Sequence, residues 1–575
     1  MSMSLALPAV RSDVAQPTPR IHLFNLDSDV LHCILEEMFR DKSLAPLSAT
    51  CRSLRKVSLP VLFSFCEILL LRKPVNSYAF PPSTIWPYIQ HVSLVDSCDP
   101  DECTTPLDGD ESAAVELFVP GFLTEALSSM PGLTELSFYS PYPSLHNLPR
   151  STINVILALP QLRRLNVRGI LFDYGAKHLS LPESEMQSVP LTSFIYLQWD
   201  VRDPPRWHAG EQDVLTRVLN GSADSLQTLF LPNETAPLSL MRRSHWPNLR
   251  QLRLRGEVRP AYDEASIVPY VAALSGMPRL RSLFLELFLP HGSRVPAIWP
   301  PGYDAACSSP WPDLDSLTLS HPQVDDQLYR HLPSTMRQLA LCCSPYHHHF
   351  VLGSLGKSRR DEWVDPLLTS SQMRSILRQC ETPGLTHLTM QFFADHAEMD
   401  LLQYLSHAFP RLESLTVHIY RPECEHKDIP AEAIGRTLAT LARLRALRMH
   451  LGFKGVPGRE GYRGATLNYF RIPAHDVLEA AVDNAARILA NVLPPSLETL
   501  DLFVPTEARP HEWAHYVLVR RDTPSRSVRE KYWVKREVEV RVVRCRPLGR
   551  VIPRAALIRR LLQYEHGVLE VLEWC

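Results

Sequence analysis

Apolar residues return along the chain in one arrangement, Pro-x-Φ-x-x-Φ-x-Φ, in which Φ is an apolar residue. Clear copies begin at Pro131, Pro160, Pro247, Pro278, Pro312, Pro383, Pro410 and Pro495, and looser copies begin at Pro87, Pro190 and Pro333. Two further copies, beginning at Leu226 and Leu444, keep the apolar positions without the proline. The last two apolar positions of each copy alternate, which predicts thirteen strands with one face on a core.

The segments between these strands predict helices, because their apolar residues recur at helical spacing. They are Val115–Met130, Ser151–Leu159, Asp213–Leu219, Glu264–Met277, Asp325–Leu332, Ser371–Cys380, Met399–Phe409 and Val477–Leu493. A proline commonly follows the end of such a segment, and proline cannot continue a helix. We therefore expect strand-plus-helix units in which a proline ends each helix before the next strand begins.

The composition fits a repeat array better than a set of separate domains. Proline accounts for 50 of 575 residues and glycine for only 22, which excludes collagen and glycine-rich linkers. Hydrophobic residues make up 45% of the chain, so most of it can bury a core. At about 150 residues per domain, this length indicates several domains or one long array, and the repeat favours the array.

The net charge excludes some classes of partner, and the cysteines indicate the cellular compartment. The formal net charge of -2 argues against a protein that binds nucleic acid as a whole. No apolar run approaches the roughly 18 residues of a membrane span, so we expect no membrane partner. The 12 cysteines stand mostly singly within apolar patterns. Buried thiols of this kind indicate a reducing compartment, and we expect a cytoplasmic or nuclear protein, or one present in both.

The repeat resembles leucine-rich repeats of the long, helix-containing type, although the Asn or Cys that usually follows the strand in that family is mostly missing. The resemblance implies an α/β fold in which residues 66–505 form an irregular solenoid, with parallel strands on the concave face and helices outside. The alternative is an ordinary α/β domain built of βα units.

The amino-terminal region predicts a separate helical module. Residues 1–20 lack periodicity and predict a flexible tail, and residues 21–65 contain three short apolar segments. The first segment has one helical stripe at residues 30–38, with Asp27 or Ser28 placed as its N-cap. The second spans residues 43–55, and the third, residues 59–63, leads into the strand-like segment 66–71.

This module resembles an F-box. The resemblance rests on a Leu-x-x-Asp-Val-Leu opening at Leu26, an Ile-Leu pair at Ile34, and the block Leu-Ser-x-Thr-Cys-Arg-x-Leu-Arg over residues 47–55. The family usually has Pro after the first Leu, where this chain has Asp27, a residue that also caps helices well.

The F-box resemblance implies docking to the Skp-type adaptor of a cullin–RING ubiquitin ligase. The expected adaptor-binding residues are Leu26, Val30, Leu31, Ile34, Leu35, Met38, Leu44, Leu47 and Leu54. The sequence does not divide these residues between the core of the module and its contact surface. The alternative is a three-helix cap that only shields the first repeat.

Three patterns in the chain are similar to sites of chemistry. Residues His511 to His515 match H-E-x-x-H, but they run directly into the alternating segment 516–519, which favours a strand over a zinc-binding helix. Residues 353–358 are similar to a P-loop whose first glycine position is Val351. Cys342, Cys343 and the histidines 347–349 lack a metal-ligand spacing. We therefore expect no cofactor, no metal and no catalytic site.

Three long intervals between copies predict loops, which in repeat proteins often lie on the binding face. The first is acidic over residues 96–111, the second contains the histidines 347–349, and the third, residues 452–469, is rich in glycine. For any single loop the alternative is tolerated surface without a function.

Residues 506–575 predict a basic hairpin and helix that cap the array. Within residues 516–560, 14 Lys or Arg residues stand against 4 Asp or Glu residues. Part of the charge lies on a predicted strand over residues 534–542, before a predicted helix over residues 555–564. Arg536 and Arg541 are candidate residues for binding an acidic or phosphorylated target. The alternative is that these charges only protect an edge of the sheet.

Together the two resemblances imply a non-enzymatic substrate receptor of a Skp–cullin–F-box ubiquitin ligase. The F-box would bind the adaptor, and the repeats would bind a target protein that the sequence does not identify. The alternative is a leucine-rich-repeat interaction scaffold without ligase association.

Overall fold

The computed structural model describes most of the chain in segments. They are residues 26–70, 80–96, 120–140, 147–148, 150–172, 190–198, 209–258, 268–291, 293–303, 309–343, 366–421, 429–453, 475–504, 513–522 and 538–545. The chain divides into two compact units, Met1–Val189 and Pro190–Cys575. The division lies inside the predicted repeat region 66–505. None of the helices in the described segments has the length and apolar character needed to cross a membrane.

The described part of the first unit starts with three helices, α1 (Ser28–Arg40), α2 (Leu44–Ser48) and α3 (Arg52–Leu62). The Asp27 side chain accepts a hydrogen bond from the Asp29 N–H at 3.3 Å and so caps α1. The Cys51 Sγ accepts one from the Leu54 N–H at 3.4 Å and caps α3 in the same way. These caps satisfy backbone donors that no residue inside the helix can reach.

Strands and helices then alternate through the rest of the first unit. The elements are β1 (Phe65–Leu70), a 3-10 helix (Ser83–Tyr88), β2 (His91–Asp96), α4 (Pro120–Ser128), β3 (Glu135–Tyr139), β4 (Asn147–Leu148), α5 (Arg150–Leu157), β5 (Arg164–Arg168) and β6 (Leu171–Phe172). Strands β1, β2, β3 and β5 pair in parallel in that order. The short strands β4 and β6 form a parallel pair of their own.

The second unit continues the same alternation. Its elements are β7 (Ser193–Leu197), α6 (Ala209–Ser222), β8 (Thr228–Pro232), α7 (Leu238–Arg243), β9 (Gln251–Glu257), α8 (Tyr270–Ala273), β10 (Ser282–Phe288), β11 (Ser316–Ser320), a 3-10 helix (Gln327–His331), β12 (Gln338–Cys342), α9 (Ser370–Leu377), β13 (His387–Phe393), α10 (Glu398–Ala408), β14 (Ser414–Tyr420), α11 (Ala431–Leu438), β15 (Ala446–His450), α12 (His475–Val492), β16 (Thr499–Phe503), β17 (Trp513–Asp522) and β18 (Val538–Cys545). Strands β7 to β16 are parallel, and β17 and β18 add to β16 in antiparallel pairs.

The thirteen predicted strands are confirmed, and the strand register repeats with the sequence. Equivalent residues of successive copies are partners across the sheet, as Leu252 is with Leu283 and Leu283 with Leu317. The first apolar residue of every copy is at most 2% exposed: Ile89, Leu133, Leu162, Leu191, Leu226, Leu249, Leu280, Leu314, Met336, Leu385, Leu412, Leu444 and Leu497. Each of these thirteen strands is therefore preceded by an apolar residue that is buried in the core.

Several helices differ from the prediction. Of the predicted helix 264–277, the described part contains only the four residues of α8, and the predicted helix 325–332 is a 3-10 helix. Helices α7 and α11 were not predicted, and each begins directly after a proline, Pro237 and Pro430. Proline suits the start of a helix because its missing N–H would have no partner there. Prolines in this chain therefore begin helices as well as follow them.

Candidate functional site

The three amino-terminal helices enclose a small core of their own. Its buried members are Leu31, Leu35, Leu44 and Val61, and Leu26, Met38, Leu47, Val57 and Leu62 pack against them. Six of the nine residues predicted to bind an adaptor therefore pack inside the module. Their first task is to hold the three helices together, and whether they also contact a partner stays a prediction.

Two of the predicted residues lie on an outer surface of α1. Val30 is 49% exposed and Ile34 is half-buried, and neither belongs to the small core. Residues four apart are neighbours on one side of a helix, so Val30 and Ile34 form a continuous apolar patch, here called the α1 patch. Phe39 is also exposed, at 41%, but its spacing of nine residues places it about half a turn away from Val30. Leu54, the ninth residue, is half-buried on α3.

Helix α1 also carries two charged pairs. On α1, His32 Nε2 lies 3.2 Å from Glu36 Oε1, and Arg40 Nη1 lies 2.8 Å from Glu37 Oε2. All four side chains are about half exposed or more, and exposed pairs of this kind contribute at most about 1 kcal/mol each. The α1 patch is therefore an apolar area on a helix that also exposes charged side chains.

In the second unit, one face of the sheet carries the polar residues that stand between the buried leucines, and it is here called the polar face. On it, Arg253 donates to Glu286 from Nε at 3.1 Å and from Nη2 at 2.6 Å, while Arg255 Nε lies 3.9 Å from the same carboxylate. The Arg253 guanidinium lies 6.0 Å from the Phe230 ring and that of Arg255 lies 5.9 Å from Phe288. The two arginines thus lie against one carboxylate, and each lies near a phenylalanine ring of its own.

The last strands of the second unit hold a cluster of aromatic rings and histidines. His418 lies edge-on to Trp513 with 5.6 Å between ring centroids, and His450 lies 4.7 Å from Tyr420 and 5.0 Å from Phe503. All five side chains are buried. The cluster therefore packs the parallel strands β14 to β16 against the antiparallel β17.

His515, the last residue of the H-E-x-x-H match, lies on β17, as the alternation predicted. Its Nδ1 lies 2.8 Å from Asp501 Oδ1, and the two residues are partners across the sheet. His511 and Glu512 lie outside the described residues. Within the described segments, no group of three or more possible ligands is arranged to hold a metal ion.

Several other predicted features lie partly or wholly outside the described residues. The P-loop-like residues 353–358, the histidines 347–349, Arg536 and the predicted helix 555–564 all lie outside them. Arg541 lies on β18, where Val519 is its partner, and target binding by it stays a prediction. Cys342 and Cys343 are buried.

Two residues of the predicted loops, Asp96 and Gly452, lie within strands of the sheet or just after them. Asp96 ends β2, is buried, and accepts a hydrogen bond from the Ser140 hydroxyl at 3.3 Å. Gly452 has a φ of +64°, a conformation that glycine adopts without the steric cost of a side chain. The rest of the acidic loop and residues 454–469 lie outside the described residues.

One buried carboxylate was missed at the sequence level. Asp326 accepts hydrogen bonds from the backbone N–H groups of Ile298 at 2.6 Å, Trp299 at 3.0 Å and Leu328 at 3.0 Å. Burial raises the pKa of this carboxyl, and the three backbone N–H groups oppose that shift. The donors on 298 and 299 are far from Asp326 in sequence, so no local pattern indicates them. Asp326 therefore ties the backbone at residues 298 and 299 to the start of the 3-10 helix Gln327–His331.

Comparison with known proteins adds only a weak structural likeness. No protein-family model matches this sequence, and no curated protein matches it. Among solved structures, an internalin from Listeria monocytogenes matches with a TM-score of 0.28 and 13% sequence identity, covering 63% of this chain and 72% of that one. The description of the fold therefore rests on the register and burial of the chain's own repeats.

Proposed function

We propose that this protein is the substrate receptor of a Skp–cullin–F-box ubiquitin ligase, in which the amino-terminal helices bind the Skp-type adaptor. The observation that carries the proposal is the α1 patch. Val30 remains 49% exposed while Leu31, the next residue, fills the core of the module. A small module can thus keep its fold and still offer an apolar strip, which is what a groove on a partner requires.

The start of α1 supports the same proposal despite the missing proline. Asp27 caps the helix with its side chain, and its carbonyl accepts the first helical bond from the Leu31 N–H at 2.9 Å. Asp27 therefore supplies the helix start that proline would supply elsewhere. The change from the F-box pattern leaves the position of Val30 intact.

The mechanism in this proposal is proximity rather than chemistry. The ligase complex supplies the ubiquitin-transfer chemistry, and this chain fixes the distance and orientation of a target protein. The repeats would bind that target, and the Arg253–Glu286–Arg255 group on the polar face offers partly exposed charges beside aromatic rings. The target itself stays unidentified.

A pull-down of the full chain with purified Skp-type adaptor tests the proposal. We expect the wild type to capture the adaptor and Val30→Asp to lose most of that capture, because a carboxylate would be buried in an apolar contact. Phe39→Asp is the matched control, since it places the same charge on the same helix at a similarly exposed residue.

The outcomes separate the two candidate functions. Capture by wild type and by Phe39→Asp, but not by Val30→Asp, supports docking through the α1 patch. Failure of the wild type to capture the adaptor rejects the ligase receptor and favours an interaction scaffold. Equal capture by all three proteins rejects the α1 patch as the docking surface.

A further inference from the structure

Strand β1 has one edge that the described part of the chain leaves unpaired. It pairs in parallel with β2, and the Ser64 carbonyl just before it accepts the His91 N–H at 2.9 Å. Alternate residues of a strand bond to the same neighbour, so the backbone groups of Cys66 and Ile68 also face β2. Those of Phe65, Glu67 and Leu69 therefore point away from the sheet. No described strand pairs with them.

The side chains at this edge offer an unguarded apolar surface. Phe65 is 38% exposed and Leu69 is 52% exposed, and both lie on the same face of β1 with Glu67 between them. Natural edge strands are usually protected by lysine, proline or a bulge. The sequence of β1, Phe-Cys-Glu-Ile-Leu-Leu, contains no lysine and no proline. Its only charge is the Glu67 carboxylate.

Within the described segments, one carboxylate oxygen of Glu67 and the hydroxyl of Ser93, its partner on β2, have no hydrogen-bond partner. Glu67 Oε2 and the Ser93 hydroxyl are enclosed, and no group in the described segments bonds to either of them. The two residues are partners across the β1–β2 pair, so their side chains lie on the same face. An enclosed carboxylate oxygen that accepts no hydrogen bond within the described segments favours a cationic side chain brought from outside.

We propose that the outer edge of β1 binds an extended segment of a partner protein as an added strand. The segment carries Lys or Arg opposite Glu67 and an apolar residue two positions to either side, against Phe65 and Leu69. Its backbone bonds to the outward N–H and C=O groups of Phe65, Glu67 and Leu69, as in other cases of strand addition. This proposal does not rest on adaptor binding.

A second copy of the chain fits this edge poorly. Two β1 strands paired antiparallel about Glu67 would place the two Glu67 carboxylates directly opposite each other. Like charges at opposed positions are destabilising, whereas opposite charges there are stabilising. Charge therefore selects a basic segment of another protein over self-pairing.

The test uses fluorescence anisotropy with the full chain and a labelled peptide, acetyl-Thr-Val-Thr-Arg-Thr-Val-Thr-amide. We expect Glu67→Arg to weaken binding of this peptide by about tenfold or more, since buried charge pairs govern such contacts. The same variant should prefer the peptide with Glu in place of Arg. Methylating the peptide's alternate backbone nitrogens on the pairing side should abolish binding to the wild type.

Three results would overturn the proposal. The first is no binding of the Arg peptide to the wild type at millimolar concentration. The second is equal binding by wild type and by Glu67→Arg, with circular dichroism showing both folded. The third is a concentration-dependent dimer of the wild type in sedimentation that Leu69→Lys abolishes, because it would show a second copy at this edge.

Discussion

The Arg448 guanidinium lies over the Trp513 ring, 3.9 Å from its centroid. Arg448 belongs to β15 and Trp513 to β17, so the contact spans β16 and joins a parallel strand to the antiparallel end of the sheet. Trp513 is also buried against Phe503, with 5.0 Å between the centroids. A cation–π contact thus joins β15 to β17, in addition to the backbone pairing of both strands with β16.

Replacing Arg448 with Gln should lower the free energy of unfolding by about 1 to 2 kcal/mol, the range of a partly desolvated cation–π contact. Urea unfolding followed by tryptophan fluorescence measures the change. Arg443→Gln is the control, because Arg443 is exposed and should cost less than about 0.5 kcal/mol. Equal losses in the two variants would show that the stacking contributes nothing measurable.

Gly256 and Gly302 allow backbone strain to be separated from packing. Gly256 has a φ of +131°, and a Cβ there would overlap the Glu234 carboxylate, whose Oε2 accepts the Glu257 N–H at 3.1 Å. Gly302 has a φ of +80° with nothing within 4 Å of such a Cβ. Gly256→Ala should therefore cost about 2 to 4 kcal/mol of stability, from strain and a displaced hydrogen bond.

Gly302→Ala is the control for that measurement, and it should cost about 1 to 2 kcal/mol from the backbone alone. Thermal or urea unfolding of the two variants gives the difference. A loss at position 302 equal to that at 256 would mean that the Glu234 contact adds nothing.

The strands were predictable because each one follows a local pattern that the chain repeats. Leu280, Leu283 and Leu285 carry the same spacing as Leu249, Leu252 and Leu254, and both sets are buried at the same places. The two unpredicted helices, α7 and α11, are short, and a proline precedes each. Short helices carry few turns of periodicity, and prolines were expected after helices rather than before them.

The division of the amino-terminal residues between core and surface was not predictable. Val30 and Leu31 are adjacent and both apolar, yet only the packing of α2 and α3 decides which one faces inward. The unpaired edge of β1 could not be predicted for a similar reason. Edge position depends on which strands meet in space, and residues 65–70 alone do not show it.

Thiol reactivity should follow burial. Cys33 and Cys51 are exposed, whereas Cys342, Cys343 and Cys380 are buried. Burial raises the pKa of Cys380 to about 12, and burial together with Glu67 raises that of Cys66 to about 11. Because the thiolate is the reactive form, these two thiols should stay protonated at neutral pH and react faster only as the pH approaches their pKa values.

Alkylation of the folded protein at pH 7.5, with peptide mass spectrometry, checks this order. Cys33 and Cys51 should be modified first, and Cys380 should react at their rate only in denaturant. Raising the pH from 7.5 to 9.5 should increase the rate at Cys66 in proportion to its thiolate fraction. Modification of Cys380 as fast as Cys33 in the native protein would contradict the buried placement.

Glu398 and Arg421 form a partly buried ion pair. Removing one partner should destabilise the protein more than the loss of the pair as a whole would suggest. Arg421 donates to both carboxylate oxygens, at 2.5 and 2.7 Å, and both side chains are less than a fifth exposed. Removing one partner leaves the other charge enclosed, so Glu398→Gln should cost about 3 kcal/mol or more. Replacing both residues with Met removes the uncompensated charge, so the double variant should cost less than the sum of the single Met variants.

A double-mutant cycle on urea unfolding measures this coupling, with Glu398→Met, Arg421→Met and the double variant. Arg374 and Asp400 supply the control cycle, because their pair is 2.6 Å long but the Asp400 side chain is 64% exposed. We expect a coupling of about 1 kcal/mol or less there, since solvent screens the charge. Equal coupling in the two cycles would show that burial of Glu398 does not strengthen its pair.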